Sequence, residues 1–189
     1  MQAFLVAFGV IFVAELGDKS QLMALAFAAR FKAVQVLVGI AVATALVHAV
    51  SVGIGAFMGV ELPTRAVDLI AGVAFLGFAA WTLRGDELSE DEATKVARSD
   101  RSAVVGASVA FFLAELGDKT MLATITLATN HGLLGTWAGS TAGMVVADAL
   151  AMGVGRVLGT RLPERAIRVG AAGLFVIFGL LLVANGVRG

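Results

Sequence analysis

Two blocks of charge sit where charge is hardest to accommodate. Glu15-Leu16-Gly17-Asp18-Lys19-Ser20 and Glu115-Leu116-Gly117-Asp118-Lys119-Thr120 lie 100 residues apart, each inside a long apolar run. On insertion-based scales a lone Asp, Lys or Arg at the centre of a bilayer costs roughly 2.5–3.5 kcal/mol. The two blocks carry six ionisable groups, so they must be compensated by one another, by water or by a bound ion. Because the cost is incurred twice in the same order, a site for a transported ion is the leading expectation.

The rest of the chain supports a membrane setting. It is 59% hydrophobic, with 23 Gly, 2 Pro and neither Cys nor Tyr, whereas soluble domains are about 45–50% apolar. Six spans are predicted, at 3–29, 34–59, 66–84, 102–129, 133–159 and 166–187. Each has the roughly 20 residues needed to cross about 30 Å of hydrocarbon. The first and fourth qualify only if the polar block belongs to the span. The lack of Cys excludes disulfides and thiolate metal ligands. Nothing in the N-terminal residues resembles a basic signal-peptide region, so a cleaved leader is not expected.

Shifting the chain by 100 residues aligns its halves without gaps. Phe12, Ala14 and the block through Lys19 match Phe112, Ala114 and the block through Lys119, and Gly53, Gly55 and Gly59 match Gly153, Gly155 and Gly159. Leu62-Pro63 matches Leu162-Pro163, which accounts for both prolines. One register over nearly the whole length indicates duplication. The predicted fold is an all-α membrane protein with six transmembrane helices. These form two three-helix repeats, 1–84 and 102–189, joined by the polar linker 85–101. Three spans per repeat invert the second repeat relative to the first, and sites in such folds lie near the midplane between repeats. Loops one, three and five, with their helix ends, hold ten Lys or Arg against two on the other side. The linker is therefore expected in the cytoplasm and both termini outside.

In a continuous helix Glu15 and Asp18 share a face, about 4.5 Å apart along the axis, as do Glu115 and Asp118. Facing one another, the four carboxylates form an oxygen site to which Ser20 and Thr120 add hydroxyls. Gly17 and Gly117 permit close helix approach or a local helix break that frees a carbonyl. Oxygen ligands suit hard cations such as Ca2+, Mg2+ or Mn2+. Four carboxylates with Lys19 and Lys119 leave two negative charges, the complement of one divalent cation. With that cation gone, crowded carboxylates in a low dielectric favour uptake of protons, the minimum chemistry of an antiporter. Asp148 and His48 occupy equivalent repeat positions in spans five and two, and with Lys19 and Lys119 are candidates for proton coupling or for supporting the ligands. Gln21, Ser51, Thr124, Thr126, Asn130 and Thr141 either line a path or serve helix packing.

Glu-x-Gly-Asp-Lys-Ser/Thr, present twice in a six-span chain of this length, resembles the Gdt-type family of membrane cation/proton exchangers. That family includes bacterial manganese exporters and Golgi and chloroplast Mn2+/Ca2+ transporters. The resemblance implies that Glu15, Asp18, Glu115 and Asp118 bind the cation, with Ser20 and Thr120 in support. It also implies export of Mn2+ from the cytoplasm against protons, across a bacterial inner membrane. No enzymatic activity, resident cofactor or nucleic-acid partner is expected; the partners are a divalent metal ion, protons and the lipid bilayer, and the oligomeric state is open. Three rival readings are weaker. An exporter of small organic cations or amino acids needs a roomier, partly apolar pocket. An intramembrane aspartyl protease needs a dyad rather than four carboxylates. A channel needs a selectivity filter, which no segment resembles.

Overall fold

The polar blocks break their spans. Leu16 is extended and Gly17 takes a φ of +75°, while Leu116 and Gly117 (φ +81°) repeat the pattern. These are the only positive-φ residues among those described, and glycine alone adopts that region without a Cβ penalty. The computed structural model describes residues 1–61, 63–84, 102–158 and 164–188. All regular elements among the described residues are α-helices: α1 (Gln2–Glu15), α2 (Lys19–Arg30), α3 (Ala33–Glu61), α4 (Thr64–Arg84), α5 (Ala103–Glu115), α6 (Lys119–Asn130), α7 (Leu133–Leu158) and α8 (Glu164–Arg188). The linker 85–101 and Pro163 lie outside the described residues.

Among the described residues, four helices are long and apolar enough to cross a membrane, over Ala33–Met58, Arg65–Arg84, Leu133–Gly155 and Val169–Arg188. The runs predicted as spans one and four are instead pairs of short helices, α1–α2 and α5–α6. The expectation that Glu15 and Asp18 share a face of one helix is thereby corrected. Glu15 closes α1, and Asp18 starts α2 as its N-cap, accepting a hydrogen bond from the Ser20 amide at 3.4 Å.

The molecule presents its apolar side chains outward. On α3, Val34, Val38, Val42, Leu46, Val50 and Ile54 form an exposed stripe at four-residue spacing, while Thr44, His48 and Ser51 on the same helix are buried. A contiguous exposed apolar face marks contact with a non-aqueous environment, and buried polar groups in a membrane helix turn toward the bundle. The chain is an integral membrane protein by this distribution.

Packing runs mainly between repeats. α1 lies along α7, α5 along α3, and α4 along α8; α3 also meets α6 and α7. Small residues make the closest crossings. The backbone of Gly139 on α7 approaches the Phe4 carbonyl so closely that an added Cβ would lie 2.3 Å from that oxygen. In the equivalent crossing, a Cβ on Gly39 would meet the side chain of Ala107 at 2.7 Å. Phenylalanines fill the wider spaces: Phe75 packs on Phe175 between α4 and α8 with ring centroids 5.8 Å apart, and Phe27 meets Phe111 at 6.5 Å. Trp137 donates from its indole nitrogen to the Ala45 carbonyl of α3 at 2.9 Å. These crossings bring both helix breaks to one central place.

Candidate cation site

Each break aims a small set of polar groups inward. Because the helix breaks at Gly17 and Gly117, the carboxylate that ends one short helix meets the first turn of the next. Ser20 Oγ donates to Glu15 Oε1, and Thr120 Oγ1 donates to Glu115 Oε2 at 2.7 Å. The breaks are braced alike: the Gly17 amide donates to Gln21 Oε1 at 3.0 Å, and the Gly117 amide points to Met121 Sδ at 3.2 Å. Gln21 also reaches across the repeats, donating to the Ala147 carbonyl at 3.5 Å. Sequence reasoning treated Gln21 as a path-lining candidate and passed over Met121; their shared repeat position was the available signal.

The two breaks meet. One carboxylate oxygen each from Glu15, Asp18 and Glu115 lie within 4.8 Å of one another, and all three side chains are buried. Glu15 Oε2 and Glu115 Oε1 are buried without a hydrogen-bond partner. A buried carboxylate oxygen left unbonded is costly, and the three carboxylates have the spacing of a candidate metal site. Asp118 is buried at the start of α6, as Asp18 is in α2, and stands outside that three-residue group. Ser20 and Thr120 are wholly buried beside their glutamates.

Charge around the cluster is uneven. Lys119 is buried and its ammonium pairs with Asp18 of the other repeat, whereas Lys19, its repeat equivalent, is only half-buried. Nothing in the sequence distinguished the two lysines. Asp148 on α7 is fully buried, with neither oxygen hydrogen-bonded, and interacts electrostatically with Asp18 and Glu15. His48, its equivalent on α3, is fully buried with both ring nitrogens unbonded. Asp148 lies within electrostatic reach of the cluster. One turn away, Thr44 and Met144, again repeat equivalents, meet at 3.2 Å. Of the path-lining candidates, Ser51 and Thr124 hydrogen-bond the carbonyls four residues back, as helix-packing hydroxyls do. Asn130 reaches Asp68 of α4 at 3.1 Å. Ionised, Glu15, Asp18, Glu115, Asp118 and Asp148 against two lysines leave three negative charges, which one dication and one proton would neutralise.

A comparison with protein families returns one whose description is Divalent cation/proton antiporter GDT1, matching residues 3–90 and again 103–189. The chain belongs to this family. Each match covers one half of the chain. Among its relatives, a Vibrio cholerae protein provisionally named a manganese exporter is 32% identical over 95% of this chain and 90% of its own length. The chloroplast protein PAM71 of Arabidopsis thaliana is 34% identical over 96% of this chain, which spans 56% of that protein. The divalent cation/proton antiporter GDT1 of Saccharomyces cerevisiae is 26% identical over 97% of this chain and 84% of its own length. No solved structure matches. The family is one of membrane cation transporters rather than of enzymes.

Proposed function

We propose that this protein is a secondary active transporter that exports a divalent cation, Mn2+ ahead of Ca2+, from the cytoplasm in exchange for protons. The observation that carries the reading is the convergence of Glu15, Asp18 and Glu115 from two repeats into one buried cluster. Asp118 completes the acidic set, and Ser20 and Thr120 orient the glutamates. Oxygen ligands favour a hard cation, and the Vibrio relative's name favours Mn2+. When the cation leaves, like charges held in a low dielectric repel strongly, and protons are the counter-charge that relieves them. Asp148 serves as proton relay beside the cluster, and His48 is its counterpart in the first repeat.

The frame follows from the same reading. Repeats 1–84 and 102–189 are inverted, with α1–α2 and α5–α6 as broken spans beside four continuous ones, a plan suited to alternating access. The charge bias sets the linker 85–101 in the cytoplasm and both termini outside, across a bacterial inner membrane.

Sealed proteoliposomes holding a pH-sensitive dye test this, with Mn2+, Ca2+ or Mg2+ added in turn. Counter-movement of protons with Mn2+, lost in Glu15→Gln and Glu115→Gln, is expected. Cation flux without protons would replace the antiporter by a uniporter. No response to any metal would favour export of an organic cation.

A further inference from the structure

A lysine already occupies the cluster. Lys119 begins α6 in the second repeat, yet its side chain is 3% exposed and its ammonium pairs with Asp18 of the first. Asp18 is one of the three residues whose oxygens converge within 4.8 Å, so the ammonium sits against a carboxylate of that group. A helix-tethered positive charge is thus held at the ligand cluster of a cation site. Its equivalent, Lys19, is half-buried.

We propose that Lys119 is a built-in monovalent competitor that restricts this site to cations carrying more than one charge. The inference rests on the cation-transport reading above. Its physical basis is an exchange. An entering cation must displace the ammonium from Asp18. A monovalent ion gives back only what the ammonium gave, and it loses its own hydration in doing so. A dication gives up more hydration, but it interacts about twice as strongly with each carboxylate at the same distance, and the several carboxylates gathered here together repay it where they do not repay a monovalent ion. The ammonium also weakens binding of the dication itself, which keeps the site able to release it. Between cargoes, the same charge keeps Asp18 compensated in the membrane interior, where an unpaired carboxylate is costly.

The experiment compares wild type, Lys119→Gln, Lys119→Arg and Lys19→Gln in proteoliposomes, following Mn2+-driven proton movement with Na+ or the inert cation choline as background. Lys119→Gln should lower the half-saturating Mn2+ concentration about tenfold or more in choline. It should also become sensitive to Na+, with Na+ raising that concentration about tenfold. Lys119→Arg, which keeps the charge, and Lys19→Gln should remain indifferent to Na+, as wild type is. A purely structural lysine would change turnover without creating competition by Na+. An unchanged response to Mn2+ and Na+ in Lys119→Gln overturns the proposal while leaving the transporter reading intact; a wild-type protein that moves no cation removes both. The unaltered protein offers a second measurement that does not depend on a variant folding. Mn2+, but not Na+, should increase reductive methylation of Lys119, read by mass spectrometry, by about threefold relative to Lys19. Equal labelling with and without Mn2+ would likewise overturn it.

Discussion

Gly139→Ala tests whether the α1–α7 crossing sets the geometry of the cation cluster. The added methyl would lie 2.3 Å from the Phe4 carbonyl oxygen and 3.0 Å from the Phe4 carbonyl carbon and Cα. Ordinary contact begins at 3.4 Å, so the shortfall, 3.4 less 2.3, is about 1.1 Å. The obstacle is backbone, which cannot swing away, so the helices must part by a similar distance. Overpacking of this kind costs about 1–3 kcal/mol. The parted crossing also loses a quarter to a half of the contact energy at each affected atom pair, on the order of 0.05 kcal/mol per pair. Alanine recovers up to about 1 kcal/mol of helix propensity, leaving a net loss of up to about 2 kcal/mol. Gly153→Ala is the control, because an added Cβ there meets nothing within 4 Å and only the propensity gain remains. Unfolding in mixed detergent micelles, followed by helix circular dichroism, should rank Gly139→Ala below wild type and Gly153→Ala at or above it. Transport should fall as well. Glu15 ends the displaced helix, and a 1 Å error in a positioned group can cost about a hundredfold in rate. Equal stability and equal transport in the two alanine variants would refute the argument.

Two further outcomes follow from the site. Gly117→Ala places a Cβ at a φ of +81°, a conformation that costs about 1–2 kcal/mol outside glycine; reduced thermal stability with slower Mn2+ transport is expected, and an unchanged melting temperature would argue against a required left-handed break. Asp148→Leu removes a buried carboxylate with no hydrogen bond to either oxygen. It should stabilise the protein by about 1–3 kcal/mol in the same unfolding assay while uncoupling proton movement from the cation. Destabilisation would mean that Asp148 has a structural partner.

The doubled block was legible because a bilayer makes its cost visible, and the 100-residue register by itself pointed to one central site. Less legible was the path of the backbone through Gly17 and Gly117. Glycine permits both a close helix crossing and a left-handed break, and residue identity alone does not choose between them. That choice decided the local geometry: with the helix broken, Ser20 bonds Glu15 across the turn instead of sitting more than a turn beyond it. The lysines were harder still. Lys19 and Lys119 occupy identical motif positions, and only long-range packing, α1 on α7 and α5 on α3, determines how deeply each is buried. Asp148 and His48 separate for the same reason. Their equivalence along the chain says nothing of which charged groups each one meets.

The pairing of α1 with α7 and of α5 with α3 also bears on how the chain is made. At roughly 5–20 residues per second, the ribosome needs several seconds after α4 to deliver α7. During that interval the first half has entered the bilayer without the helices that cover Glu15 and Asp18. Its early life in the membrane is therefore that of an unfinished half holding exposed acid groups, which calls for water, lipid headgroups or an insertase cavity as temporary shelter. Co-expressed halves separated at the linker should find each other for the same reason, since the surfaces that join them are the ones each lacks alone.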